Sequence, residues 1–135
     1  MKLVARTVLA GLALSLASLG AAQAQAPAAA AGPPDAVRGE TLFKQRCALC
    51  HSLVVDTTKR PGPSLQAVIN RKPGTVAGFT YSAAMKALTA PWSKTTLDTY
   101  LAAPPKMVPG GFMVMSVPNA KDRADIVAYM GGLTR

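Results

Sequence analysis

Apolar side chains recur at helical spacing in several short stretches of the chain, separated by stretches rich in proline and glycine. In the first stretch the apolar residues are Val37, Leu42 and Phe43. Asp35 stands just before them as a plausible N-cap, so the pattern predicts a helix that extends to Cys47. Gly39 lies inside this helix, where glycine costs about 1 kcal/mol relative to alanine. A glycine there is typical of a frayed end or of close approach by another element.

Two more helices are predicted in the middle of the chain. The first begins after Ser82, covers residues 83–88 and is stopped by Pro91. The second is capped by Ser93 and ends at Pro104-Pro105. Its residues at helical spacing are Thr96, Leu97, Tyr100 and Leu101.

The last predicted helix begins at Asn119, which has Asp122 three residues further on in a capping arrangement. It is closed by Gly131-Gly132 and carries Ile126, Val127, Tyr129 and Met130. No segment shows the sustained period-two alternation of a strand. The pattern therefore predicts an all-α fold of four to five short helices.

Long loops join these helices. Proline and glycine keep them irregular, at Pro61-Gly62-Pro63, Pro73-Gly74, Gly78, Pro109-Gly110-Gly111 and Pro118. Loops of this length are unusual in a compact domain of this size. They are reasonable if they pack against a ligand instead of against each other.

The chain's only two cysteines and its only histidine stand together in Cys47-Ala48-Leu49-Cys50-His51. Two thiols three positions apart, with a histidine directly after the second, form the attachment signature of a c-type haem. The thiols become thioethers on the haem vinyl groups, and His51 becomes the proximal iron ligand. A methionine opposite it would raise the reduction potential. Spacing leaves five candidates open: Met85, Met107, Met113, Met115 and Met130.

The N-terminal segment has the pattern of a secretory signal peptide, predicted over residues 1–26. Lys2 and Arg6 precede an apolar run, which is shorter than the roughly 20 residues that span a bilayer. Small-x-small cleavage sites end at Ala24 and at Ala26. An uncleaved N-terminal anchor is the alternative. Residues 27–34 are predicted to be a disordered Ala/Pro-rich lead-in, and residues 35–135 the folded domain.

The net charge of +9 falls by two, to +7, when the signal peptide takes Lys2 and Arg6 with it. A basic excess indicates nucleic acid, an anionic membrane or an acidic protein as partner. No segment resembles a nucleic-acid-binding module, and export removes most nucleic acid from reach. We therefore expect an acidic protein partner, which would meet a basic rim formed by Arg46, Lys59, Arg60, Lys86 and Lys106.

Several short motifs occur in an order that is known from one family. They are Gly39 and Phe43, Cys47-Ala48-Leu49-Cys50-His51, Gly62-Pro63-Ser64-Leu65, Arg71-Lys72-Pro73-Gly74, Gly78-Phe79-Thr80-Tyr81, Trp92, Leu97-Asp98-Thr99-Tyr100-Leu101, Pro104, Val108-Pro109-Gly110-Gly111-Phe112-Met113 and Asp125-Ile126-Val127-Ala128-Tyr129. On these residues the chain resembles a class I c-type cytochrome of the mitochondrial cytochrome c and bacterial cytochrome c2 type. The resemblance covers nearly all of the predicted folded part.

The resemblance implies the cytochrome c fold around one haem c, which is held covalently by both cysteines. It implies Met113 as the distal ligand, with Met115 as its nearest competitor. Pro63 would accept a hydrogen bond from the ring of His51 through its carbonyl group, which fixes the imidazole tautomer. Tyr100 would point its hydroxyl towards the sulfur of Met113.

The resemblance also implies contacts with the haem propionates. Tyr81 and Trp92 would donate hydrogen bonds to them, and Arg71 would offset their charge. Gly39 would let the first helix cross the last one closely, near Phe43, Ile126 and Tyr129. The sequence departs from the family at three positions. Phe112 stands where members often have a basic residue. Gly111 stands where mitochondrial members commonly have a hydroxyl residue, and Met85 where they have asparagine.

The function implied is that of a soluble periplasmic carrier of single electrons, and not of an enzyme. Its partners would be a cytochrome reductase, an oxidase, a reaction centre or a periplasmic dehydrogenase, met by a monomer in transient complexes. Two alternatives use the same residues. A thiol–disulfide oxidoreductase would need a strand before Cys47 and Cys50, within a thioredoxin-like sheet. A zinc or copper module would combine them with His51, and for copper with Met113 or Met115.

Overall fold

The structure, a computed structural model, describes residues 32–55 and 59–133. Across those residues it contains five helices and no strand. The helices are α1 (Ala36–Arg46), α2 (Ala83–Lys86), α3 (Lys94–Ala102), α4 (Pro104–Met107) and α5 (Ala120–Gly132). The predicted all-α architecture is confirmed. The predicted signal peptide lies outside the described residues, as does most of the predicted lead-in.

Side-chain caps begin the three longer helices where the sequence predicts them. Asp35 accepts hydrogen bonds from two backbone N–H groups in the first turn of α1. Ser93 and Thr96 form a reciprocal capping box at the start of α3. At α5, Asn119 accepts from the backbone N–H of Asp122 at 3.0 Å. Each such cap stabilises its helix by about 1 kcal/mol, so local sequence determines where these helices start.

Two helix ends differ from the prediction, and one short helix was not predicted. α2 ends at Lys86, before the predicted Leu88. α3 ends at Ala102, just before Pro104 as predicted, but Pro104 then begins α4, because proline has no N–H to leave unpaired and its fixed φ suits the first helical position. α5 continues through Gly131-Gly132, and the N–H of Leu133 closes its last turn. We attribute this continuation to the burial of Met130, since packing outweighs propensity there.

The closest helix packing is the crossing of α1 and α5 at Gly39. A β-carbon at this position would lie 2.0 Å from the backbone carbonyl oxygen of Asp125, so only glycine allows the two backbones to meet. The rings of Phe43 and Tyr129 pack beside the crossing, with their centroids 5.8 Å apart. The close approach predicted for Gly39 is confirmed.

A fully buried carboxylate ties the two helices together. Asp125 accepts a hydrogen bond from the backbone N–H of Asp35 at 2.7 Å and pairs with Arg38 and Lys121. Burial by itself raises the pKa of Asp125, but these donors outweigh it and hold the pKa at about 2. Because the unfolded pKa is about 3.9, the carboxylate stabilises the fold above that pH. That contribution is lost as the pH falls towards 2.

Helix α3 completes the core by packing on α5. Its buried residues are Leu97, Tyr100 and Leu101. In the described ranges, no helix is both long enough and apolar enough to cross a membrane. Helices α1, α3, α4 and α5 thus form one packed unit, and the loops around it complete a cleft.

We predict that Gly39→Ala destabilises the haem-loaded protein by about 3 kcal/mol, because the new methyl group must push α1 away from α5. Gly132→Ala is the matched control. It makes the same change in a helix where nothing lies within 4 Å of the added β-carbon, so it should be neutral or stabilising by up to about 1 kcal/mol. Chemical denaturation measures both free energies of unfolding. Equal values for the two variants would contradict the crossing.

Candidate functional site

One large cleft lies among the ends of α1, α3 and α5 and the loops between them. Its empty space, counted together with the open solvent at its mouth, is about 1130 Å³. The structure brings all the residues predicted to contact a haem to this cleft: Cys47, Cys50, His51, Pro63, Arg71, Tyr81, Trp92, Tyr100 and Met113. Much of the remaining lining is apolar and includes Leu65, Val68, Leu97, Leu101, Ile126 and Met130.

The attachment motif forms a turn at the end of α1. Cys47 caps the helix, and its N–H donates to the carbonyl of Phe43 at 2.8 Å. The N–H groups of Cys50 and His51 both donate to the Cys47 carbonyl, at 3.0 and 2.9 Å. This turn brings both thiols and the imidazole to the cleft, so α1 positions all three groups.

The cysteine chemistry does not favour a thiol–disulfide oxidoreductase. Burial raises the pKa of Cys47 to about 11, which opposes thiolate formation near neutral pH. A redox-active cysteine pair instead needs a thiol whose pKa is lowered. No strand precedes the motif in the described part of the chain, where a thioredoxin-like site would require one.

The donor set does not favour a closed zinc site either. Among residues 32–55 and 59–133, no three His, Cys, Asp or Glu side chains come together as candidate ligands for one metal ion. A structural zinc site requires four such groups. The motif is therefore best explained by attachment of a cofactor that carries its own metal.

His51 is oriented by the loop that follows it. Its Nδ1 atom lies 2.8 Å from the carbonyl oxygen of Pro63. Burial lowers the pKa of His51, and the hydrogen bond to this carbonyl raises it by less. The net lowering of the pKa favours the neutral ring. Because a carbonyl only accepts, Nδ1 carries the proton and donates it, which leaves the lone pair of Nε2 available for a metal.

Gly62 leaves room for the imidazole ring of His51 because it has no side chain. This role was not predicted from the sequence. A β-carbon at Gly62 would lie 2.3 Å from the Cε1 atom of His51. The N–H of Gly62 also donates to the carbonyl of Cys50 at 2.9 Å, which holds the loop against the motif. In the sequence Gly62 is turn punctuation between two prolines and the first residue of a motif shared with the family, but neither feature predicted its own contact with the ring.

The structure narrows the choice of a sulfur ligand. Met113, Met85 and Met130 line the cleft, whereas Met107 and Met115 do not. Met113 is partly buried against the core, while Met115 is 48 % exposed. Burial thus favours Met113 over Met115, its nearest competitor in sequence.

The loop that carries Met113 is built by a glycine turn. Gly110 has φ +75°, a conformation that side-chain-bearing residues rarely adopt. The N–H of Gly111 donates to the carbonyl of Val108 at 2.9 Å and closes the turn. Val108 is buried, so the turn that precedes Met113 is anchored in the core.

A cationic side chain lies at the polar side of the cleft. Arg71 donates from Nη1 to the carbonyl of Gln66 at 2.6 Å and from Nη2 to that of Ser64 at 2.7 Å. Burial lowers the pKa of Arg71, and the nearby Tyr81 opposes that shift. The guanidinium is thus held in place by backbone carbonyls, and its charge remains available to anionic groups in the cleft.

Two aromatic rings pack together at the base of the cleft. Trp92 and Tyr100 are both buried, and their centroids are 5.2 Å apart. Backbone hydrogen bonds tie Trp92 to the loop of Arg71, since its N–H donates to the Arg71 carbonyl at 3.0 Å. Burial raises the pKa of Tyr100, so its hydroxyl stays protonated and can act as a donor.

The lining as a whole fits a haem. Thiols, a neutral imidazole with a free Nε2 and a thioether are present in one apolar cleft. Arg71 and Lys72 supply positive charge suited to two carboxylates. A porphyrin with propionate groups needs this combination of apolar walls, axial donors and cations.

Known proteins are similar to this chain over most of its length. The family model named Cytochrome c matches residues 36–134. Cytochrome c of Gossypium barbadense is 41% identical over 101 residues, which cover 74% of this chain and 91% of the relative. Cytochrome c 2.1 of Caenorhabditis briggsae is 46% identical over 98 residues, 71% of this chain and 86% of the relative. The matched residues include all five helices and the cleft.

We predict that Gly62→Ala displaces the imidazole of His51, because the added carbon and the ring cannot share the same space. It should destabilise the haem-loaded protein by about 2 kcal/mol. The chain has one histidine, so ¹⁵N-histidine labelling gives a single Nδ1–H resonance that should shift or broaden. Pro63→Ala keeps the accepting carbonyl and serves as the control. An unchanged Nδ1–H resonance in Gly62→Ala would refute the packing.

Proposed function

Since this chain belongs to the cytochrome c family, we propose that it is a periplasmic one-electron carrier whose haem iron is ligated by His51 and Met113. Members of the family are electron carriers that bind one haem c covalently through two cysteines, and Cys47 and Cys50 have that spacing here. The observation that carries the proposal is the convergence of both thiols, the His51 imidazole and the Met113 thioether in one cleft.

When bound, the haem supplies the redox chemistry, because its iron alternates between the ferrous and ferric states. The protein provides the side chains that would ligate the iron and holds them in position. His51 keeps a fixed tautomer because its Nδ1 proton is engaged by Pro63. Met113 would stabilise the ferrous state with its thioether and thereby raise the reduction potential. If His51 and Met113 both held the iron, they would leave it no place for a substrate, as suits a carrier.

Further side chains would act on the edge and the distal side of the haem. Arg71, Tyr81 and Trp92 would hold the propionates, a role supported by their position in the cleft lining. Tyr100 would donate a hydrogen bond to the sulfur of Met113. Tyr100 is buried and lines the same cleft as Met113, which supports this role.

The partners we propose are redox proteins with acidic docking faces: a cytochrome reductase, an oxidase, a reaction centre or a periplasmic dehydrogenase. The basic rim supports this: Arg60 donates to the carbonyl of Ala48, within the attachment motif, at 3.0 Å. Arg46 contributes less, because it pairs with Asp122 at 3.6 Å. Attraction between opposite charges speeds encounter and weakens as salt is added.

Export to the periplasm is supported by the N-terminal sequence alone. The basic start, the short apolar run and the tandem cleavage sites have the signal-peptide pattern. We predict that the protein isolated from a periplasmic fraction begins at Gln25 or Pro27, after cleavage at Ala24 or Ala26. Intact mass spectrometry reads the N-terminus directly. A mass that includes residues 1–26 would show that the segment is retained as an anchor.

We predict that Met113→Ala opens the iron to exogenous ligands such as cyanide and lowers the reduction potential, because a thioether ligand is lost. Met115→Ala makes the same change two residues away and should keep the sulfur–iron charge-transfer band. Spectroelectrochemistry of both variants measures the band and the potential. If the band survives in Met113→Ala and disappears in Met115→Ala, the ligand is Met115 and our assignment is wrong.

A further inference from the structure

Arg123 makes three polar contacts outside its own helix. Near the start of α5, its Nε donates to the carboxylate of Asp98 in α3 at 2.9 Å. Its Nη1 donates to the backbone carbonyls of Val117 and Pro118, at 3.0 and 2.8 Å. The side chain is only 12 % exposed, so water competes weakly for these contacts. One guanidinium thus joins α5 to α3 and to the segment of chain that leads into α5.

Val117 follows the loop that carries the proposed thioether ligand. We call residues 109–116 the methionine loop. Val108 before it and Val117 after it are both buried. The N–H of Val117 donates to the carbonyl of Leu101 in α3 at 2.8 Å, and the carbonyl of Val117 accepts from Arg123. The far end of the methionine loop is therefore held through both backbone groups of Val117.

Few other contacts hold the methionine loop between its ends. At its start, the N–H of Gly111 donates to the carbonyl of Val108 at 2.9 Å. Residues 112–116 form no hydrogen bond with any other residue that the structure describes. Met113 is partly buried against the core, but the next residue, Val114, is exposed. The position of Met113 thus depends on packing and on the two ends of the loop.

A charged donor at one end is important for a loop of this kind. Ligand-binding loops open at a lower free-energy cost than the core, because few contacts hold them. Hydrogen bonds from a charged group are stronger than neutral ones. Arginine also has several N–H donors in one rigid plane, which lets Arg123 reach Asp98 and both carbonyls at once. Loss of this side chain should therefore make opening of the methionine loop more frequent.

We propose that Arg123 is a positioning residue for the Met113 ligand: it holds the end of the methionine loop and so keeps the thioether in the cleft. The inference rests on the proposed ligation by Met113 and identifies the residue that maintains it. Arg123 is not among the residues that line the cleft, so it acts through Val117 and the loop. This arrangement suits a carrier, because an opened loop would admit small anions in place of the ligand.

A second arginine allows this role to be separated from general stability. Arg38 also joins α5 to another helix, since it pairs with Asp122 and Asp125 at the crossing with α1. Both arginines should contribute to the free energy of global unfolding, because each links two helices. Only Arg123 binds the end of the methionine loop, so only its loss should affect opening of that loop.

The experiment titrates the ferric, haem-loaded protein with cyanide and follows the sulfur–iron charge-transfer band. Cyanide competes with Met113 for the iron, so its apparent affinity rises when the loop opens more often. We expect Arg123→Leu, which removes every donor but keeps an apolar stem, to raise that affinity roughly tenfold. Arg38→Leu is the matched control, because it makes the same substitution in the other arginine. Its cyanide affinity should equal the wild-type value, although chemical denaturation should show a loss of global stability.

Arg123→Lys keeps the test decisive if Arg123→Leu does not fold. Lysine keeps a positive charge for Asp98, but its ammonium group lacks the planar set of donors that reaches both carbonyls. We expect a smaller rise in cyanide affinity, roughly threefold.

A second readout does not involve the iron. The N–H of Val117 is hydrogen-bonded to Leu101, so its hydrogen exchange reports directly on the end of the methionine loop. We expect NMR to show roughly tenfold faster exchange of this N–H in Arg123→Leu, and the wild-type rate in Arg38→Leu.

Wild-type cyanide affinity and wild-type exchange at Val117 in both Arg123 variants would overturn the inference. Equal changes in Arg123→Leu and Arg38→Leu would also overturn it, since the effect would then follow global stability. A wild-type protein that lacks the charge-transfer band would instead contradict the proposed ligation by Met113, and this inference with it.

Discussion

The crossing of α1 and α5 at Gly39 is the contact on which the rest of the structure depends. It brings two backbones together at a distance that no side chain allows, and Asp125 ties them with buried hydrogen bonds. The end of α1 then becomes the turn of Cys47, so the crossing also fixes the attachment motif. Helix α5 contributes Ile126 and Met130 to the lining of the cleft. The contact that closes the fold therefore positions two walls of the cofactor site.

The cofactor completes the core of this protein. A domain of about 100 residues buries only about 65% of the surface of its unfolded chain, so its own core is thin. Several buried residues, such as Trp92, Tyr100 and Leu97, line the cleft and also belong to the core cluster. The haem carried by this family supplies apolar bulk between them. This explains why long loops, which have little regular structure, keep defined positions around the site.

Features encoded locally were predictable from the sequence, and those that depend on distant contacts were not. The caps at Asp35, Ser93 and Asn119 were predictable because each acts within one helical turn. The contact of Gly62 with the His51 ring joins residues across a loop, and it was not predicted, although the resemblance implied that the carbonyl of the neighbouring Pro63 contacts that ring.

The resemblance to the family supplied part of what local reasoning left open. Residue spacing left five methionines as candidate ligands; the resemblance pointed to Met113, which the cleft also favours over Met115. The short helix α4 was not predicted, because a proline that follows the end of one helix can also begin the next.

The claim that this chain is built around a covalently held haem is tested most directly by extraction. The protein is produced with the cytochrome c assembly machinery, denatured and extracted with acid acetone, and the pyridine haemochrome spectrum of the protein fraction is recorded. We expect haem to remain with the protein, with the spectrum of a haem whose two vinyl groups are both saturated by Cys47 and Cys50. Haem found entirely in the acetone phase would contradict the claim.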